Sequence, residues 1–480
     1  MDIKDFKKIS DVLWELPKTF RKDMRAAARV YATDEMLKDM MKDRSLQQLV
    51  NTATLPGIVG SAMVMPDAHE GYGFPIGGVV ATKFPDGIIS PGGVGYDINC
   101  GVRLIKTEMH FDDLRPEAES LGRQLFHAVP SGVGRGGTLK LGIGEMDKVL
   151  KLGAKWMVRE GYGTGDDLEH IESGGCLSNA DCDVVSDHAK KRGADQLGTM
   201  GAGNHFVEVD RVESVFDEET ARAFGIFEGQ IVVLIHMGSR GLGHQIATDH
   251  IRTVLKAMPK YGITLPDNEL ACVPLSSNEG TDYYNAMAAG ANFAWANRQM
   301  ITHEVRRAWE TVFGTGAGRL DILYDVAHNM AKIENHSVGG IVQKLIVHRK
   351  GATRSFGPGH PDIPSEFREV GQPVLIPGSM GTASYILAGT EKSMLESFGS
   401  CCHGAGRKMS RHAALKEVEG RELREQLDLS GIHIESGSMR GLAEEAPLAY
   451  KDVDEVCEVV ERAGIARKVA RLKPVIVVKG

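Results

Sequence analysis

Between residues 54 and 107, short β-branched runs alternate with Gly/Pro turns: IVGSAMVMPDAHEGYG, then GGVVATKF, then GIISPGGVGYDINCGVRLIKT. This is strand-and-tight-turn chemistry, and it limits the fold more than any other feature of the chain. The turns draw on 57 glycines in 480 residues, well above a typical share of ~7%. The excess is clustered, not periodic, which excludes collagen-like and low-complexity chains. Further strand-like runs stand at 230–240, 319–329, 340–351 and 372–381, with PVIVVKG at the end. Helical patterning marks 115–129, 179–196, 244–259, 283–313, 410–426 and 451–471, and residues 1–50 read as an amphipathic helical segment. The strands are not spaced as regular βαβ units, which argues against Rossmann and TIM-barrel folds. The expected class is α+β, with mixed β-sheets forming a central core flanked by helices. No Pro/Ser-rich linker divides 54–480, so the chain is read as one folded body over 1–480.

The formal net charge of −8 is not that of a broadly basic nucleic-acid binder, so any surface for RNA must be a local basic cluster. The seven cysteines (100, 176, 182, 272, 401, 402 and 457) include no C-x-x-C pair, which argues against a zinc ribbon and a disulfide framework. The first twenty residues contain no apolar signal core, and no apolar run reaches membrane-spanning length; a soluble, cytoplasmic protein is expected.

Metal-type ligands fall at the ends of apolar runs or in Gly-rich turns. Asp97 and Cys100 lie in PGGVGYDINCG, His205 in GAGNHFVE, His236 at the end of IVVLIH and His328 at the end of ILYDVAH. A thiolate, three imidazoles and a carboxylate suit a borderline divalent ion, and a thiolate can bridge two. For any one such histidine an ordinary core or surface role is the commoner reading, several in the same context favour a metal, and their wide separation does not itself show convergence. The second pattern is GSCCHGAGRKMSR at 399–411. His403 could act as a nucleophile toward phosphorus, Gly404 and Gly406 allow close backbone approach, and Arg407, Lys408 and Arg411 could grip phosphate oxygens. The competing reading is a helix-entry turn with incidental basic residues, and Cys401 and Cys402 read as packing thiols. Three Gly-rich stretches offer anion cradles: VLIPGSMGTASY (374–385), HRKGATRSFGPGH (348–360) and the loop around Arg240. The competing reading for these is solvated loops. None is a Walker A motif.

The segments PDAHEGYGFPIGG, PGGVGYDINCGVR, GAGNHFVE, HMGSRGLGHQ, DVAHN, HRKGATR, PGSMGTASY, HGAGR and VVKG together resemble the signature segments of the RtcB family of GTP-dependent RNA-splicing ligases. They occur in family order from about residue 54 to 480. The resemblance implies a single RtcB-type catalytic domain that joins 3′-phosphate or 2′,3′-cyclic phosphate RNA ends to 5′-hydroxyl ends, in tRNA splicing and RNA repair. It further implies that GTP guanylylates His403, and that two manganese ions are held by Cys100, His205 and His236 and by Asp97, Cys100 and His328. The ligand set alone suits zinc equally well. The implied nucleotide pocket is Asn204, Glu208, Ser384, Arg407, Tyr450 and Lys479. Glu208 would read the N1 and N2 edge of guanine and so reject ATP. Asp67 would orient His403 through a ring N–H, and Asn329, Ser379, Arg240, Lys350 and Arg411 would support the site. The implied partner is RNA, as tRNA halves or broken strands; family members can also depend on a small activator, archease. Two rivals share the metal set: a dinuclear phosphodiesterase, which would not need His403, Glu208 or Lys479, and an RNA-binding scaffold with structural metal.

Overall fold

A computed structural model describes residues 1–132 and 135–480, without the side chain of Ile143. Nineteen strands occur among the described residues. The first seven are β1 (Lys7–Ser10), β2 (Leu13–Leu16), β3 (Ala28–Tyr31), β4 (Ile58–His69), β5 (Ile76–Lys83), β6 (Ile88–Ile89) and β7 (Gly101–His110). The next six are β8 (Phe206–Val215), β9 (Gln230–Met237), β10 (Val273–Pro274), β11 (Asp321–Ala327), β12 (Asn329–Val338) and β13 (Ile341–Lys350). The last six are β14 (Ala352–Arg354), β15 (Pro373–Ile376), β16 (Ser384–Gly389), β17 (Ser400–Cys402), β18 (His433–Ser436) and β19 (Ala466–Lys479).

Two large sheets carry the molecule. One runs β1-β2-β3-β4-β5-β13-β12 and is antiparallel except for the β3·β4 pair. The other runs β11-β7-β9-β8-β19-β16-β15, with β18 lying parallel beside the second half of β19. Its edge strands β11 and β15 come together, so this sheet curls toward a barrel. Side chains alternate across it as strand geometry requires. On the outer face, Ile105, Val207, Val209, Val233 and Ile235 pack with Leu121, Leu125, Ile301 and Trp309 of helices Ala118–Ala128 and Asn278–Phe313. On the inner face, Val102, Leu104, Phe206, Val232, Leu234, Ile386 and Leu472 fill the interior. With both faces covered, these strands read in sequence as nearly unbroken apolar runs.

The 36-residue helix Asn278–Phe313 starts at Ser277, whose side chain accepts from Gly280 N. Its polar interior positions pin the barrel. Arg298 and Arg103 both reach Asp325 at 2.8 Å, with all three side chains fully buried. Arg298 also donates to the carbonyls of Asn99 (2.8 Å) and Met237 (2.7 Å). One guanidinium thereby fixes the two loops that follow Asp97 and His236.

The α+β class with mixed sheets is the observed one, and residues 1–50 are where the structure departs most from expectation. Three strands occupy 7–31, and only Asp34–Met40 and Ser45–Thr52 are helical. Leu13 and Leu16 on β2 and Val30 and Tyr31 on β3 are buried because β3 adds in parallel to β4, a long-range pairing that overrides local helix propensity. The helix expected at 179–196 shrinks to Asp187–Gly193, and that expected at 451–471 ends at Ala463, where Gly464 (φ +73°) turns the chain into β19. No described helix is long and apolar enough to cross a membrane.

Candidate metal centre and adjoining cavity

The expected ligands meet at one end of the curled sheet. Asn99, in the left-handed region at φ +51°, turns the chain so that Cys100 enters β7; Asn tolerates this conformation better than most residues. His236 lies on β9 opposite Val102 and Phe206, His205 directly precedes β8, and His328 joins β11 to β12. Cys100 Sγ is 3.3 Å from His236 Nε2 and 3.5 Å from His205 Nε2. His236 Nε2 lies 3.2 Å from His328 Nε2, and His205 Nε2 lies 3.0 Å from Asp97 Oδ2. Asp97 rests on Gly238, where an added Cβ would fall 2.1 Å from its Oδ1; this position of HMGSR therefore requires glycine.

Two compact triples result, Cys100/His236/His328 and Asp97/Cys100/His205. Cys100 is common to both and also touches His205 and His236, the two imidazoles expected to share one ion with it. β7 lies between β9 and β11 and brings the ends of those two strands to Cys100 together. Burial holds the His236 and His328 imidazoles well below their ordinary pKa, so they are neutral donors. Burial, with the Asp97 charge added, pushes the Cys100 thiol up; a divalent cation reverses that shift by binding the thiolate. Convergent lone pairs on neutral imidazoles, a carboxylate and a thiol fit such a cation.

His403 is half-buried beside this cluster, its ring centroid 4.9 Å from that of His328. Asp67, fully buried at the end of β4, accepts from His403 Nδ1 at 2.6 Å and from His403 N at 2.9 Å. The expected Asp67–His403 contact is present. Gly406 (φ +77°) lies against the Asp67 backbone, where a Cβ would sit 2.1 Å from Asp67 O.

A cavity of about 350 Å³ joins the two features. Asp97, Cys100, Asn204, His236, His328, Asn329, Ser379, His403, Arg407, Arg411, Tyr450 and Lys479 all line it. Asn329 braces the loops, donating to Asp97 O at 3.0 Å and accepting from Gly351 N at 2.8 Å. Ser384 does not line the cavity but accepts from Gly378 N at 3.1 Å, holding the Gly378–Ser379 wall. Glu208 also lies off the lining, one layer deeper than Phe206 and His236, and its Oε1 has no hydrogen-bond partner among the described residues. Arg240 stands behind the site, donating to Thr199 Oγ1 at 3.1 Å.

Two expected cradles are partly or wholly engaged within the protein. In 374–385 the Gly378 and Ser379 N–H groups bond Ser384 and Thr382 internally, so these two donors are not offered to an anion. In 348–360 the basic side chains point inward: Arg349 pairs with Glu334 at 2.7 Å, Arg354 with Asp362 at 3.3 Å, and Lys350 donates to the carbonyls of Tyr72 and Phe74. Lys350 is a brace, and burial draws its pKa down to about 7.

Sequence reasoning missed Glu445. Its carboxylate accepts from Arg407 NH1 (3.0 Å), Arg411 Nε (2.7 Å) and Tyr450 OH, and it is nearly fully buried. Arg407 also lies over the Tyr450 ring, 5.0 Å from its centroid. The only signal for Glu445 was indirect: a basic cluster held partly out of water needs a counter-charge. His69, whose ring shares a 2.9 Å contact with Asp67 O and which lines the cavity, was missed too.

The RtcB family model, described as tRNA-splicing ligase RtcB, matches residues 48–480. A protein named tRNA-splicing ligase RtcB from Thermococcus kodakarensis is 57% identical over 476 residues, 99% of this chain and 98% of its own length. The protein of that name from Archaeoglobus fulgidus is 52% identical over 99% of this chain and 98% of its own length. Its namesake from Nanoarchaeum equitans is 50% identical over the full length of both.

Proposed function

The chain belongs to the RtcB family, and on that footing we propose that it is an RNA ligase of tRNA splicing and RNA repair. It joins a 3′-phosphate or 2′,3′-cyclic phosphate end to a 5′-hydroxyl end, using GTP, as one catalytic domain over 1–480. The proposed setting is the cytoplasm, with tRNA halves or broken strands as substrates and archease as a candidate activator.

The observation that carries this reading is the 2.6 Å Asp67–His403 contact beside a shared thiol–imidazole cluster. An Asp67 carboxylate bonded to Nδ1–H leaves the lone pair on Nε2. Nε2 attacks the α-phosphorus of GTP, the bond to the β-phosphate oxygen breaks, and pyrophosphate departs. An oxygen of the RNA 3′-phosphate, which in a cyclic end is first freed by water breaking the P–O2′ bond and leaving a 2′-hydroxyl, then attacks the same phosphorus and His403 leaves, so the RNA end carries GMP through a pyrophosphate bond. Finally the 5′-hydroxyl attacks the RNA phosphate and GMP leaves. Held by Cys100 with Asp97, His205, His236 and His328, two divalent ions (manganese in this reading) would stabilise charge on the phosphoryl oxygens. Arg407, Arg411 and Lys479 add positive charge on the cavity wall, kept in place by Glu445. Glu208, buried with an unpartnered oxygen, suits the paired N–H donors of guanine, which adenine lacks.

Incubation with manganese and α-labelled GTP tests this directly. A covalent, acid-labile GMP adduct that is absent in His403→Ala supports the ligase. Absence of an adduct with every divalent metal tried would overturn it in favour of a phosphodiesterase.

A further inference from the structure

Asp67 orients the proposed nucleophile, yet its own carboxylate is held at one end only. Oδ2 takes both contacts with His403, and Oδ1 has no hydrogen-bond partner among the described residues. The direction of the carboxylate is therefore set by the backbone beneath it. That backbone lies in a break of the ladder. β3 pairs with β4 no further than Val64, and β5 passes from Val64 to His69 with no paired residue between. Pro66 brings no N–H, and carbonyls left out of a ladder need a donor from elsewhere.

Lys451 is that donor. Its ammonium gives hydrogen bonds to the carbonyls of Pro66, at 3.0 Å, and of Ala68, the two that flank Asp67. The same residue reaches the other side of the contact through its backbone. Lys451 N donates to Gly406 O at 2.9 Å, Lys408 N donates to Ala449 O at 2.8 Å, and Arg407 and Tyr450 pair between them as a short antiparallel bridge. The loop that carries His403 is thus laced to 449–451, and Lys451 is bonded to the strand end that carries Asp67. Successive extended residues point to opposite faces. Tyr450 accordingly reaches Arg407 and Glu445 on the cavity wall, while Lys451 turns to β4. Lys451 does not line the cavity at the metal centre.

We propose that Lys451 is a positioning residue: its ammonium and its backbone N–H clamp the Asp67 strand end to the His403 loop, and so keep Nε2 of His403 aimed at the α-phosphorus. The inference rests on the reading of His403 as the nucleophile. Misplacing a reacting group by about 1 Å can cost about a hundredfold in rate. A clamp that never touches GTP therefore bears on the chemical step and leaves nucleotide binding alone.

The test follows GMP-adduct formation against GTP concentration in the manganese-loaded parent, Lys451→Met and Lys451→Gln, well below the unfolding temperature. Met keeps the length of the arm and removes its donors. Its rate at saturating GTP should fall about 10–100-fold, with the KM for GTP within about twofold of the parent's. Gln keeps two N–H donors without the charge, and its rate should fall between the other two. A second readout needs no nucleotide. The Nδ1 proton of a short imidazole–carboxylate bond resonates far downfield of the backbone amides. That signal, identified by its absence from Asp67→Asn, should be lost in Lys451→Met, and its absence from the parent would overturn the proposal. A lysine that only stabilises the fold predicts a lower unfolding midpoint with rate and resonance unchanged, which would overturn it as well. So would a slowed Met variant that keeps the resonance. Should the Met variant not fold, Lys451→Gln decides alone: parental rate and resonance in it would end the proposal. The parent separates the two claims. If it forms no adduct, the ligase reading fails; if it forms one and Lys451→Met does so equally fast, only the present inference fails.

Discussion

Two basic segments, HRKGATR at 348–354 and HGAGRKMSR at 403–411, look alike as text, and the fold uses them in opposite ways. In the first, the Arg349 side chain is 4% exposed and faces Glu334 at 7%, while Arg354 joins Glu172 and Asp362. In the second, Arg411 is 51% exposed and Arg407 is 16% exposed, and both share a single Glu445. The first set of cations is paired with carboxylates and carbonyls inside the fold. The second is anchored from behind and keeps donors turned toward a cavity. A run of positive charge therefore says little until its counter-charges are known: matched pairs make structure, and an under-matched cluster leaves charge to offer a phosphate.

Three measurements press on that contrast. Arg349→Ala strands the buried Glu334 and should cost about 3–5 kcal/mol of stability in denaturant unfolding; a loss near zero would erase the distinction. Arg407→Ala should leave the unfolding midpoint close to the parent's, because Arg411 and Lys479 still neutralise Glu445, yet slow GMP-adduct formation about 10–100-fold, the scale of lost charge-assisted hydrogen bonds. A stability loss as large as that of Arg349→Ala would show both segments to be structural. The smallest effect is in acid. The Glu334 carboxyl is held well below its ordinary value, since Arg349 and His336 outweigh the upward push of burial. Its contribution is complete above the unfolded pKa of ~4.3 and is lost as pH falls from there toward the folded value. Over that window, parent stability should fall with a slope of up to about 1.4 kcal/mol per pH unit from this group. Glu334→Gln should flatten the slope, and an unchanged acid limb would refute the linkage.

Much of the site was legible because its parts lie at the ends of apolar strands, where His236 and His328 stand out against unbroken hydrophobic runs. The Asp67–His403 contact was implied by the family resemblance that PDAHEGYGFPIGG and HGAGR carry, not by position in the chain. What could not be read was partnership across the fold. The pairing of His236 with His328 follows from β7 lying between two strands far apart in sequence. Glu445 sits in an ordinary acidic helical stretch, GLAEEAPLAY, and nothing local marks it. β1 is exposed throughout, so no alternation betrayed it, and β3 is a strand only because β4 receives it. Inward-facing Arg349 and Lys350 were misread because a Gly following basic residues suggests a loop, whereas here it ends a strand.

The placement of β19 has a bearing on when this protein becomes competent. It is an interior strand of its sheet, bonded to β8, β16 and β18. Until residues 466–479 dock, β8 lacks a neighbour on one side, the barrel gapes, and Lys479 is missing from the wall. Contacts of such sequence separation form late in folding. On the proposed reading, a chain in which β19 has not docked lacks one cation of the cavity wall and should form no GMP adduct.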